Sequence, residues 1–155
     1  MIEIKRILCS TDFSEASRAA LPLAVRIAKR MEAQLYLIHV VRELPYAAPD
    51  PNYHFEVPEY ERYLTAAAEK RLDELDESVT AQGVSTVKLL MHGNVADQIL
   101  EAAKNQDIDM IVMATHGETG WRHMVFGSVA EKVVRQAHCP VLTIRQPEQG
   151  ERPAT

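Results

Sequence analysis

The sequence predicts an open, Rossmann-like α/β domain: a parallel five-stranded sheet with helices on both faces. Three observations predict it. Five short β-type runs alternate with helical runs in the order β-α-β-α-β-α-β-α-β, which demands parallel strands and right-handed crossovers. Two of those runs, LYLIHVV and IDMIVM, are almost continuously apolar, as strands covered on both faces are. The stretch from Ala114 to Ile144 reads as strand end, glycine loop, helix start and final strand. Its 155 residues suit one domain, long enough to bury roughly two thirds of the unfolded surface.

The first strand is predicted at Ile4–Cys9. The helix after it carries Ala16, Ala19, Ala20, Leu23, Ala24, Ile27, Ala28 and Met31 at helical spacing, with Ser14 as N-cap. Pro22 falls inside that helix on the opposite face, with Arg18 and Arg26, and predicts a solvent-side kink. The second strand is Gln34–Val41. Residues 42–58 then carry Pro45, Pro49, Pro51 and Pro58 with Tyr46, Tyr53 and Phe55, an irregular surface insert within one domain. A helix follows over about 59–82, stopped by Gly83. The third strand is Val84–Met91, and Asn94 caps the next helix with Asp97 at the capping-box position. The fourth strand is Ile108–Met113, a helix starts near Gly127–Ser128, and the fifth strand is Val141–Arg145. The domain spans 1–146, and residues 147–155 form a polar tail expected to fray.

Composition excludes several classes. A formal charge of −5 without any Lys/Arg-rich block speaks against nonspecific binding to nucleic acid or to anionic membranes. No run approaches the ~18 apolar residues of a membrane span, and a cytoplasmic location is expected. Cys9 and Cys139 lie in apolar runs without CxxC spacing and read as packing residues. None of the six histidines has metal-ligand spacing; His39 reads as a core or sheet-end residue with a site role as the alternative, His116 and His123 as solvated loop positions with a phosphate partner as the alternative.

The chemistry lies at the strand ends. In doubly wound sheets a ligand binds outside the carboxyl ends of the strands, where strand order reverses. Those ends carry Ser10–Thr11–Asp12, Val40–Val41 and Ala114–Gly117. If the first and fourth strands are neighbours, all three converge on one crevice. Gly127 and Ser128 open the last helix, whose unpaired N–H groups and dipole suit a phosphate, while glycine lets the backbone come close. This is the pattern of a mononucleotide site.

Two blocks, STDFSEASRAAL and MATHGETGWRHMVFGSVAEKVVRQAHCPVLTI, with HVV between them, resemble the universal stress protein family over almost the whole chain. The resemblance implies the strand order 3-2-1-4-5. It also implies the pattern G-2x-G-9x-G-[ST] of the family's nucleotide-binding branch, here Ala114, Gly117, Gly127 and Ser128 with both spacings kept. Ala114 departs from the first glycine, which is harmless if its φ is negative and damaging if it is positive. Carried over by position, Asp12 accepts a hydrogen bond from ribose or adenine, and Ser10 and Thr11 line the same pocket. Val40 meets adenine through its backbone, and Met113 lies against base or sugar. Gly117, Gly127, Ser128 and the backbone of Val129 hold the phosphates, while Ala130 stands where some relatives have a hydroxyl. Asp12 and Ser128 also read as helix caps, and Met113 as core.

The expected ligand is ATP, with ADP or AMP as alternatives, and Mg²⁺ bridging the phosphates. A homodimer through the last strand, Pro140 to Arg145, is implied as well; VLTIR is an apolar edge that pairing would cover. The function implied is a nucleotide-dependent module of stress or metabolic signalling with a further protein partner. Alternatives are a stress protein acting by protein–protein contact without nucleotide, and a slow ATPase. Enzymatic phosphoryl transfer has little support, since the chain has no GxxxxGK[ST] and no triad or paired-carboxylate site. Gly127→Val is expected to cost most of the ATP affinity and leave fold and dimer intact.

Overall fold

The computed structural model describes residues 3–43, 57–116 and 126–145. Its strands are β1 (Arg6–Ser10), β2 (Gln34–Val41), β3 (Thr86–His92), β4 (Met110–Ala114) and β5 (Val141–Ile144), all parallel, in the order β3-β2-β1-β4-β5. The helices are α1 (Glu15–Arg18), α2 (Leu21–Met31), α3 (Val57–Thr80), α4 (Val95–Asn105) and α5 (Ser128–Gln136). The fold class is the one the sequence predicted, and the strand order is the one the family resemblance implied.

Period-two alternation sends successive strand residues to opposite faces, so the sheet carries two cores. Ile7, Cys9, Leu35, Leu37 and Val112 meet Ala24 and Ala28 of α2 and Ala68, Leu72 and Val79 of α3. Leu8, Ile38, Val40, Ile111 and Met113 meet Ile99, Ala102 and Ala103 of α4 and Ala130 and Val133 of α5. Strands β1, β3 and β4 begin two residues later than the apolar runs suggested. Val84 and Ile108, at 4% and 2% exposure, are core residues of the turns that lead into β3 and β4.

Pro22 corrects the expected kink. The chain closes α1 with Ala19 N–H and Ala20 N–H donating to the Ala16 and Ser17 carbonyls, then starts α2 at Leu21. Pro22 therefore lies in the first turn of a new helix, where its missing N–H costs nothing. Ser14 caps α1 as expected, its Oγ accepting from Ser17 N–H. Gly83 ends the turn after α3 with φ +84°, a left-handed conformation suited to glycine.

At α4, Asn94 Oδ1 accepts from Asp97 N–H at 3.2 Å, as an N-cap should. Asp97 does not complete the capping box: its carboxylate reaches Lys132 of α5 at 2.6 Å. The N-cap of α5 is Gly127, with Ser128 as the first helical residue, so Ser128 is not itself the cap.

Candidate functional site

The reversal point lies between β1 and β4: β2 and β3 extend the sheet on one side, β5 on the other. Beyond β1 the chain turns sharply. Thr11 N–H donates to the Ile38 carbonyl at 3.0 Å, and Phe13 N–H donates to Thr11 Oγ1 at 2.9 Å. Phe13 adopts φ +64°, a left-handed backbone that a bulky residue holds only when its surroundings impose it. Asp12 Oδ1 accepts from Ser14 N–H at 2.9 Å and from the Ser14 hydroxyl, and Asp12 N–H donates to Ser17 Oγ at 3.3 Å. Asp12 thus braces the entry to α1 while its residue lines the crevice.

Beside this turn, the Phe13 ring lies 4.4 Å from the His39 ring, centroid to centroid, and the Arg71 guanidinium sits 4.7 Å above Phe13. His39 Nδ1 lies 2.8 Å from the Thr11 carbonyl; since a carbonyl only accepts, Nδ1 carries the proton. Burial holds the His39 imidazole below the usual histidine range, opposed by that bond and by the charge of Asp12.

Beyond β4, Thr115 N–H donates to the Ile144 carbonyl, and Gly127 N–H donates back to the Thr115 carbonyl at 2.8 Å. Gly127 has φ −73°, so glycine is not needed there for its torsion. Space is the tighter constraint, because a Cβ would stand 3.0 Å from the Thr115 carbonyl oxygen, a close contact. Gly127→Val would require the Thr115 backbone to give by a few tenths of an ångström. Ala114 is the last residue of β4, aligned with Ile144 of β5, and is not among the residues of positive φ. An alanine Cβ is compatible with that backbone.

These turns enclose a cavity of about 450 Å³. It is lined by Ser10, Thr11, Asp12, Val40, Met113, Ala114, Gly127, Ser128 and Val129, nine of the ten predicted site residues; Gly117 lies outside the described residues, as does His123. Met113, 3% exposed, serves both core and cavity wall. A second cavity of about 480 Å³ adjoins it, sharing Arg42, Val95, Ser128 and Val129 and adding Glu43, Asn94 and Lys132.

The sequence reading missed part of the wall. Leu64, Ala67, Ala68 and Arg71 of α3 close one side, with Phe13 and His39. The sequence reading placed a helix over about 59–82, but nothing marked its first half as crossing the strand ends. His116 is a further correction: it is partly buried rather than solvated, and it lines the cavity. Its Nδ1 lies 2.9 Å from Thr115 Oγ1, and its Nε2 is buried with no partner among the described residues. Among those residues no group of three or more His, Cys, Asp or Glu side chains could hold a metal ion. No helix there is long and apolar enough to cross a membrane.

A parallel sheet with an apolar and polar crevice at its reversal point, in the roughly 300–1,000 Å³ range of small-molecule pockets, defines a doubly wound α/β protein. Comparison with known proteins gives its kinship. The sequence model of the Universal stress protein family matches residues 3–145, and the chain belongs to that family. It is 33% identical to Universal stress protein MJ0531 of Methanocaldococcus jannaschii over 144 residues, covering 93% of this chain and 84% of that one. The fold superposes on universal stress protein UspA of Lactobacillus plantarum with a TM-score of 0.81 at 28% identity, covering 92% and 99% of the two chains. It also superposes on a universal stress protein solved in complex with cAMP, at TM-score 0.69 and 21% identity over 92% and 98% of the chains, a likeness of fold.

Proposed function

We propose that this protein binds an adenine nucleotide, ATP in the first place, and works as a nucleotide-dependent module of stress signalling. One observation carries the reading: nine residues scattered from position 10 to position 129 line a single cavity at the strand ends. The residues fit the group. Val40 and Met113 offer apolar walls to a base, and the Asp12 carboxylate offers an acceptor to a ribose hydroxyl. Gly127, kept bare by the Thr115 carbonyl, leads into the N-terminal turn of α5, where the backbone N–H groups of Ser128 and Val129 and the helix dipole suit a phosphate. A universal stress protein of this fold solved with cAMP gives a precedent for an adenine ring on such a scaffold. Mg²⁺, a hard cation suited to oxygen ligands, would neutralise phosphate charge when bound with the nucleotide.

The unit proposed is one domain over 1–146 that pairs with a second copy along β5 and meets a protein partner according to nucleotide state. Acid denaturation of freshly purified protein, with released nucleotide identified by mass spectrometry, tests the ligand. Stoichiometric adenine nucleotide is the expected result. Protein that emerges empty and ignores added ATP in a titration overturns the reading. Asp12→Asn keeps an oxygen acceptor for Ser14 and removes the charge; about tenfold weaker ATP binding is expected, the scale of one hydrogen bond to a charged group.

A further inference from the structure

We propose that the second cavity counts phosphates: Lys132 and Arg42 take the terminal phosphates of a nucleoside polyphosphate there, which makes the site selective for ATP over AMP. The proposal rests on the nucleotide reading above and names its selectivity device. The second cavity joins the first through Arg42, Val95, Ser128 and Val129, so a ligand held at Ser128 has a path into it. Lys132 follows Ser128 by one helical turn, which puts both on the same face of α5. Among the described residues that lining carries two cations, Arg42 and Lys132, and one carboxylate, Glu43.

Lys132 is held in reserve rather than idle. Its Nζ lies 2.6 Å from Asp97 Oδ1, tying the first turn of α4 to α5, and its side chain is 32% exposed. The ammonium rides on a flexible four-carbon stem and can exchange one anion for another without moving the helix. A terminal phosphate carries more charge than the Asp97 carboxylate and competes for it. A monophosphate held at Gly127–Ser128 has no terminal phosphate to offer Lys132, and the Asp97–Lys132 pair then stays closed.

The test is equilibrium titration of wild type, Lys132→Met, Arg42→Met and Asp97→Asn with AMP, ADP and ATP, with circular dichroism on each protein. In wild type, affinity is expected to rise from AMP to ATP. In Lys132→Met and in Arg42→Met the ATP-to-AMP ratio should fall by about tenfold, the scale of one charge-assisted contact. Asp97→Asn frees Lys132 and should tighten ATP a few-fold more than AMP. Wild type that binds AMP and ATP with a ratio untouched by either cation substitution overturns the phosphate-counting proposal and leaves the nucleotide reading standing. An equal loss for all three nucleotides marks general damage to the site and overturns it too. A wild type that binds none of them overturns both.

Discussion

Gly127 donates its N–H to the Thr115 carbonyl oxygen at 2.8 Å, and the Cβ it lacks would stand 3.0 Å from that same oxygen. One hydrogen bond thus ties α5 to the end of β4, and a side chain there would need the Thr115 backbone to give by a few tenths of an ångström. Gly127→Ala is compatible with φ −73°, so its cost is steric. Overpacking against backbone costs about 1–3 kcal/mol, and the shift of α5 should weaken nucleotide binding in parallel. Urea denaturation measures the first and titration the second. A variant as stable as wild type would mean that Thr115 yields freely, and the close-approach argument would fall.

His39 predicts a pH dependence of stability. Burial lowers its folded pKa below the unfolded value, so the unfolded chain binds the proton more readily. The stabilising contribution of neutral His39 is complete above the ordinary histidine range. It declines as pH falls from there toward the folded pKa. His39→Gln removes this titration while leaving other groups in place, so the loss of stability between pH 7.5 and pH 5.5 should be smaller than in wild type. Equal losses in denaturant midpoint would assign the effect elsewhere.

Cysteine reactivity should separate the two thiols. Burial pushes the Cys9 thiol up to about 12, in the heart of the sheet. Cys139 lies on a partly exposed turn, its thiol raised by burial and then by the charge of Asp109. Iodoacetamide at pH 8 is expected to label Cys139 slowly and Cys9 only after denaturant is added, followed by peptide mass spectrometry. Labelling of Cys9 at the rate of Cys139 would show that the β1 core opens readily.

Alternation of strands and helices, the two apolar strands and the spacing of Gly127 were legible because each is a local pattern in the chain. The walls of the cavity were legible where a strand end or a glycine announced them. Arg71 and Leu64 were not, since only the packing of α3 over Phe13 brings them to the crevice. Asp97 shows the same limit. Its position matched a capping box, but Lys132, 35 residues later in the chain, outcompeted its local partner through a contact that only the packing of α4 beside α5 creates. Pro22 misled for the opposite reason: apolar periodicity ran straight through residues 16–31 while the backbone restarted at Leu21.

The proposed dimer can be tested at a position chosen by main-chain direction. Val141 packs into one core and Leu142 and Ile144 into the other, so charges there would damage the fold rather than the edge. The carbonyls of Pro140 and Ile144 accept from β4. By two-residue alternation, the main chain of Val141 and Thr143 points away from β4, to the free side of the sheet. Thr143→Pro therefore deletes an outward N–H and no bond of the β4–β5 ladder, the setting in which a strand tolerates proline. Sedimentation should show a monomer with an unfolding temperature within about 4 °C of wild type under conditions where both are monomeric, the shift of roughly 1 kcal/mol in a chain of this size. A Thr143→Pro protein that still sediments as a dimer would move the interface off β5 and on to the helical faces.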